Sequence, residues 1–156
     1  MKQLYYTALT YMILGLAGGL GYREITKANG FTGQTELAVV HTHLLVLGML
    51  VLLVVLLLEK VFALSRSRVF PWFFWVYNAG VVWTVAFLAI NGTRTVLGEP
   101  TTSGLAGMAG FGHILLTAGL VLFFVCLRSR LGTPDTTADT TADTTPGTVP
   151  TATIGR

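Results

Sequence analysis

An uncharged, strongly apolar segment from Leu37 to Leu58 constrains the fold of this chain more than any other feature. Its sequence is LAVVHTHLLVLGMLVLLVVLLL, with no Asp, Glu, Lys or Arg. About 20 apolar residues in a helix match the thickness of a bilayer core. Ionisable groups inside such a span are costly, so they usually have a partner or a function. The main functional question is therefore what His41 and His43, near the start of this segment, bind.

The composition is that of an integral membrane protein. Of the 156 residues, 53% are hydrophobic and 11% are charged, whereas charged residues make up about 25% of a typical soluble domain. The net charge of +3 is small, and the basic residues lie in loops and the tail. This placement indicates membrane topology and not nucleic-acid binding. A single cysteine, Cys126, excludes a disulfide within one chain and gives no sign of a cysteine-based metal site.

Four apolar runs predict four spans, at residues 4–22, 37–58, 71–91 and 105–127. The predicted fold is all-α: a membrane-spanning four-helix bundle over residues 1–131, with the lipid bilayer as its surroundings. Residues 132–156 repeat Asp-Thr-Thr without apolar periodicity, which predicts a disordered cytoplasmic tail.

Small and polar residues within the spans predict how the helices pack. Glycines and alanines let helix backbones approach closely, and a buried amide hydrogen-bonds between helices. The residues expected to act in this way are Gly15 and Gly19 in the first span, Asn78 in the third, and Ala106, Gly107, Ala109 and Gly110 in the fourth.

The basic residues predict the orientation. If the N-terminus is cytoplasmic, the loops and chain ends on the cytoplasmic side carry six basic residues near the spans and the outer side carries three. An excess of Lys and Arg marks the cytoplasmic side, so both termini are expected to be cytoplasmic, in a bacterial inner membrane. The outer three are Arg23, Lys27 and Arg94.

All three histidines are expected in the outer half of the membrane. At about 1.5 Å per residue, His43 lies about 9 Å below Leu37 and His113 about 12 Å below Leu105. His41 and His43 are two residues apart, which places them about 200° apart on a helix. They cannot both chelate one ion from one helix, as an i, i+4 pair can. Each serves a different site, or one is a ligand and the other packs, or each meets a partner from another helix or subunit.

The chain resembles a family of small bacterial four-helix membrane proteins of unknown function. The resemblance is carried by YMILGLAGG, YREITKANGFTGQTELAVVHTHLLVLGM and GHILL, and it extends over nearly the whole chain before the tail. This family implies the four-helix fold but no activity.

A second resemblance is to subunit I of the haem-copper oxidases. His41-Thr42-His43, followed by two leucines and Gly48, is similar to the His-x-His helix of that subunit. There the two histidines ligate different haems on opposite faces of a helix, within three four-helix arcs. Arg94 is placed like the arginines that pair with haem propionates in that family. The resemblance implies a haem-binding scaffold, and by analogy with the three arcs a homotrimer in which His41 of one subunit and His43 of its neighbour ligate one haem. Because the third span has no histidine, oxygen reduction is not implied.

Three functions follow as hypotheses. The first is a b-type haem protein for electron transfer, haem handling or gas sensing, with His41 and His43 as axial ligands and Arg94 and Arg23 at the propionates. His113 would be a supporting partner or an alternative ligand. The second is a copper- or zinc-binding membrane protein that uses the three histidines. The third is a non-catalytic scaffold or accessory subunit. The sequence has no paired nucleophile and base, carboxylate pair or phosphate loop, which argues against an enzyme.

Overall fold

Four long helices make up the chain in the computed structural model, which describes residues 1–100 and 103–131. Helix α1 is Lys2–Ala28, α2 is Leu37–Phe62, α3 is Phe70–Val96 and α4 is Ser103–Leu131. A short 3-10 turn, Leu64–Arg66, joins α2 to α3. Each of the four helices is long and apolar enough to cross a membrane. The all-α, four-span prediction is confirmed, and the predicted disordered tail lies outside the described residues.

Three of the four helices extend beyond the predicted spans at the end of the molecule that carries the histidines, whereas α2 begins at Leu37 as predicted. We call that end the histidine end, where α1 ends at Ala28, α2 begins at Leu37, α3 ends at Val96 and α4 begins at Ser103. Helix α1 continues six residues past Tyr22 because the polar residues there are still helix formers. Arg23, Glu24 and Lys27, which lie in this part of α1, all favour the helical conformation.

Helix α2 is not a regular α-helix throughout. It is α-helical over Leu37–His43, a π-helix over Leu44–Leu50 and α-helical again over Val51–Phe62. It ends at Ala63, whose φ of 49° lies in the left-handed region and stops the helix. Nearby, the buried Glu59 carboxylate accepts hydrogen bonds from the backbone N–H and the hydroxyl of Ser65, which ties the turn to the helix.

Successive helices pack side by side in an open row. Helix α1 packs on α2, α2 on α3, and α3 on α4, while α1 and α4 share no contact among the described residues. The core lies along the α1–α2–α3 junction and the α3–α4 seam. Its fully buried side chains include Tyr77, Phe73, Leu52, Val55 and Val81.

Glycines mark the closest approaches between helices. A methyl group at Gly15 would lie 2.8 Å from Leu45, so this glycine lets α1 and α2 meet as predicted. In α4 the outcome differs from the prediction. Gly112 and Gly119 lie against α3, at Thr84 and Tyr77, whereas Gly107 and Gly110 have nothing within 4 Å among the described residues. The glycine-rich start of α4 therefore leaves an open face instead of a tight helix contact within the chain.

Candidate functional site

His41 faces the neighbouring helix α1. A methyl group at Gly19 would lie 3.7 Å from His41 Cγ, so the imidazole packs over the glycine backbone of α1. His41 Nδ1 is buried and has no hydrogen-bond partner among the described residues. Buried polar atoms usually have a partner, so this nitrogen is unusual in a side chain that is only half-buried as a whole.

His43 lies on the other side of α2, as the 200° separation predicts. It is half-buried and borders an exposed stripe formed by Val39, Val46 and Leu50. His43 Nδ1 lies 2.8 Å from the carbonyl oxygen of Val39, one turn earlier. A carbonyl only accepts hydrogen bonds, so Nδ1 is the donor in this contact, and in a neutral imidazole the lone pair is then on Nε2. This is the tautomer and the backbone contact that orient histidines in metal centres.

The π-helix starts immediately after His43. Tyr77 of α3 donates its hydroxyl to the carbonyl oxygen of Leu47 at 2.9 Å, inside the π segment. On the other side, the Tyr11 ring of α1 lies against Gly48, where a methyl group would overlap it. Single π turns inside α-helices occur frequently at functional sites. Here the segment is held from both sides, so the position of the two histidines is fixed by α1 and α3 together.

His113 lies on the face of α4 that is turned away from α3. It is exposed and lines a hollow of about 400 Å³ with Ile114, Thr117 and Ala118. Its carbonyl oxygen accepts a hydrogen bond from the Thr117 hydroxyl at 2.8 Å, so that hydroxyl is satisfied within the helix. The part of α2 that carries His41 and His43 does not contact α4 among the described residues. His113 therefore lies apart from the other two histidines within one chain.

Contacts with α3 determine the relative depth of His43 and His113 in the row of helices. Gly92 of α3 lies against Leu37 of α2, and Thr84 of α3 lies against Gly112 of α4. From Gly92 to Thr84 is eight residues, about 12 Å along the helix axis, and from Leu37 to His43 is six residues, about 9 Å. His113 follows Gly112 directly, so the two imidazoles lie within about one helical turn of each other in depth.

The three histidines do not form a metal centre in one chain. Within residues 1–100 and 103–131, no group of three or more His, Cys, Asp or Glu side chains is placed to hold a metal ion. His41 packs against α1, His43 is half-buried beside the exposed stripe of α2, and His113 lies on α4. A site that uses more than one of them needs a second copy of the chain or a ligand that spans the faces.

The two arginines predicted at a propionate site lie at the histidine end. Arg94 Nε is 3.3 Å from Glu99 Oε2, and its Nη2 donates to the Pro100 carbonyl at 3.2 Å. Arg23 Nε is 4.0 Å from Glu24 Oε1, and its side chain is 72% exposed. Arg94 is thus positioned by the loop after α3, whereas Arg23 makes a long surface ion pair of small energetic value.

Sequence reasoning missed a polar hollow beside the start of α2. Asn91 of α3 donates through Nδ2 to Glu36 Oε2 at 2.8 Å, and the Thr35 hydroxyl donates to the Gly92 carbonyl at 2.7 Å. These residues line a hollow of about 410 Å³, and Asn91 Oδ1 is buried there without a partner among the described residues. The available signal was a polar Asn at the end of a span, with Thr35-Glu36 before the next.

Comparison with known proteins identifies the family. The family model described as a protein of unknown function (DUF2871) matches residues 1–130. The chain belongs to this family. The predicted membership in an uncharacterised family of membrane proteins is thereby confirmed, and the match covers all four helices except the last residue of α4. Searches of curated proteins and of solved structures gave no match. The resemblance to haem-copper oxidases stays a prediction.

Proposed function

We propose that this chain is a membrane protein that binds b-type haem, with His43 as an axial ligand. The observation that carries the proposal is the 2.8 Å contact between His43 Nδ1 and the Val39 carbonyl. In a neutral imidazole this contact favours the tautomer whose Nε2 lone pair suits iron, and it restrains the ring by the backbone of its own helix. Because the half-buried His43 borders the exposed stripe of α2, a planar ligand can approach it from outside the single chain.

The separation of the histidines favours haem over copper or zinc. A porphyrin supplies four nitrogen ligands to its iron, so the protein adds only one or two axial ligands. Zinc sites take three or four ligands from the protein. His41, His43 and His113 lie on three different surfaces of one chain, which suits single axial ligation better than chelation.

The rest of the site fits a haem with its propionates at the histidine end. Apolar side chains flank His43 along α2, and Arg94 lies at the same end of the molecule, where a guanidinium can pair with a carboxylate. Arg23 is a second cation at this end. A bound haem supplies one-electron chemistry or a gas ligand site, so electron transfer, haem handling and gas sensing are the activities in question.

This proposal includes an orientation. Lys2, Lys60, Arg66, Arg68, Arg128 and Arg130 lie at the end opposite the histidines. An excess of basic residues marks the cytoplasmic side, so the haem would lie in the outer half of a bacterial inner membrane with both termini cytoplasmic.

An optical spectrum tests the proposal. The full chain is purified in detergent from cells supplied with a haem precursor, and spectra are recorded before and after dithionite. We expect a Soret band and a sharp visible band on reduction, and we expect His43→Ala to lose both or to shift them to a high-spin form. His41→Ala is the matched comparison: a ligand role predicts the same loss, whereas packing against Gly19 predicts lower stability with haem retained.

A colourless wild-type protein that also fails to bind added hemin overturns the proposal. Retention of metal other than iron by that protein, with loss in His113→Ala, would favour the copper or zinc alternative. If neither wild type nor any histidine variant binds haem or a metal ion, the chain is a scaffold or accessory subunit.

A further inference from the structure

A mainly apolar groove runs along the exposed face in the second half of α4. Its lining residues recur every three or four positions, so they share one face of the helix. They enclose a hollow of about 490 Å³, and the four large apolar side chains among them are 38% to 65% exposed. A face of this kind in a membrane-spanning helix needs an apolar partner. The lining residues are Thr117, Leu120, Val121, Phe124, Val125 and Arg128.

The groove is as long as one leaflet of a bilayer is thick. From Thr117 to Arg128 is eleven residues, about 16 Å along the helix axis. The hydrocarbon core of a bilayer is about 30 Å thick, so one leaflet accounts for about 15 Å of it. An extended acyl chain that begins beside Arg128 therefore ends near Thr117.

Contacts with the turn between α2 and α3 place Arg128 at the edge of the apolar region. Cys126 Sγ lies 3.6 Å from the Leu64 carbonyl oxygen, and Ser129 Oγ lies 3.4 Å from Ser67 Oγ. This turn joins two helices that are long and apolar enough to cross a membrane, so it lies at a membrane surface. Arg128 is between the two contacts in sequence, which places its guanidinium at the level of the lipid headgroups.

The charges at this end of the molecule favour an anionic headgroup. Glu59 is the one acidic residue that the described part of the chain places here, and its carboxylate is buried and hydrogen-bonded within the adjoining turn. Arg128 is exposed and forms no ion pair within residues 1–100 and 103–131. Arg66 and Arg68 are also exposed, and they flank Ser67, which lies beside the last turn of α4. The groove therefore ends in a cationic patch.

We propose that this groove binds one anionic phospholipid from the leaflet opposite the histidine end. The lipid phosphate pairs with Arg128, and one acyl chain lies along α4 towards Thr117. A guanidinium can donate two parallel hydrogen bonds to a phosphate, which fixes the headgroup in place. A zwitterionic lipid carries its own cation beside the phosphate, and that cation is repelled by Arg66 and Arg68, so the site selects lipids with net negative charge. This site is separate from the proposed haem ligands and does not depend on them.

Native mass spectrometry tests the headgroup contact. The full chain in detergent is titrated with phosphatidylglycerol or with phosphatidylcholine of the same acyl chains. We expect wild type to prefer phosphatidylglycerol, and Arg128→Gln to bind it about fivefold more weakly than wild type. Lys2→Gln is the matched control, because it removes the same charge from the same end of the molecule on a helix that does not contact α4 among the described residues. We expect this control to bind like wild type, and equal losses in both variants would overturn the proposal.

Cross-linking tests where the acyl chain lies. Phosphatidylglycerol with a diazirine midway along one acyl chain is added at one equivalent and irradiated, and the labelled peptides are identified by mass spectrometry. We expect the label at residues 120–124, with less of it in Arg128→Gln and an unchanged amount in Lys2→Gln. A label spread evenly over the exposed residues of α1 and α4 overturns the proposal, as does equal affinity of wild type for the two lipids. If a second copy of the chain covers this face instead, the purified oligomer leaves residues 120–124 unlabelled, which overturns it as well.

Discussion

The Tyr11 hydroxyl of α1 donates a hydrogen bond to Asn78 Oδ1 of α3 at 2.8 Å, in the middle of the helix row. Asn78 in turn donates through Nδ2 to the Phe74 carbonyl at 2.7 Å, so its amide is satisfied on both sides. Both residues are buried. This bond links two helices that are not neighbours in sequence and holds them around α2, which lies between them in the chain.

Tyr11→Phe should weaken this link. The change removes the donor and leaves Asn78 Oδ1 buried without a partner, while the ring volume stays nearly the same. Interhelical hydrogen bonds in membrane proteins contribute about 0.6 kcal/mol on average, with about 1.7 kcal/mol as the upper value, so we expect a loss in that range. The measurement is the free energy of unfolding in mixed micelles. Tyr5→Phe is the control, since Tyr5 is 50% exposed; equal losses in both variants would contradict the assignment.

Gly92→Ala should separate α2 from α3. A methyl group at Gly92 would lie 2.8 Å from Leu37 Cα, and backbone atoms cannot move aside as a flexible side chain can. Overpacking of this kind costs about 1–3 kcal/mol, and we expect the same reduction in the free energy of unfolding. The control is Gly21→Ala, because Gly21 has nothing within 4 Å among the described residues and alanine favours the helix. A variant at Gly92 as stable as wild type would show that the two helices are not in close contact.

The double change Glu36→Gln with Asn91→Asp should be tolerated, although Asn91→Asp alone should destabilise the protein. Asn91→Asp places a second carboxylate next to Glu36 Oε2, where the wild-type amide donates at 2.8 Å. We expect this variant to lose about 1–3 kcal/mol, since a donor is lost and two like charges meet in a partly buried site. The double variant Glu36→Gln, Asn91→Asp again has one carboxylate and one amide. The amide at position 36 now donates the hydrogen bond to the carboxylate at position 91.

A double-mutant cycle checks this exchange. Thermal unfolding of wild type, both single variants and the double variant gives the coupling energy between the two positions. Recovery of most of the loss in the double variant supports the contact. If the double variant is as unstable as the sum of the single variants, the two side chains do not interact.

Tyr77→Phe should loosen the π segment of α2. The Tyr77 hydroxyl donates to the Leu47 carbonyl, and no other group among the described residues is known to bond that oxygen from outside α2. We expect faster hydrogen exchange of the backbone amides in Leu44–Leu50, since local opening becomes easier when a tertiary hydrogen bond is lost. The measurement is hydrogen–deuterium exchange in detergent or nanodiscs. Exchange at Leu4–Leu14 in α1 is the internal control, and an unchanged rate in α2 would contradict a role for Tyr77 in holding the segment.

Some of the packing could be read from the sequence because it depends on residue type and spacing. Asn78 was expected to hydrogen-bond between helices, and it does so to Tyr11. Gly15 was expected to allow a close helix contact, and it lies against Leu45. The tyrosine partner was not predictable, because the distance between Tyr11 and Asn78 depends on how α1 and α3 meet around α2.

Other features depend on which face of a helix is covered, which spacing alone cannot decide. The glycines at the start of α4 have the pattern of a tight contact, but Gly107 and Gly110 face away from α3 while Gly112 meets Thr84. The π segment after His43 has no composition signal, since leucines and a glycine fit an α-helix equally well. Its cause is the packing of the Tyr11 ring at Gly48 and the Tyr77 hydrogen bond from the other side.

The sequence by itself determined that the chain has four apolar helices, that its histidines gather towards one end, and that His41 and His43 point in opposite directions. These properties follow from hydrophobic length and from the 3.6-residue turn, which are local. Only the tertiary structure decided that His41 packs against α1 and that His43 is half-buried beside an exposed stripe. It also decided that His113 lies within about one helical turn of His43 in depth, on a helix that Leu37–His43 does not contact among the described residues. The reason is that depth and exposure are set by the register of each helix against α3, at Gly92–Leu37 and Thr84–Gly112, and register is a property of the packed row.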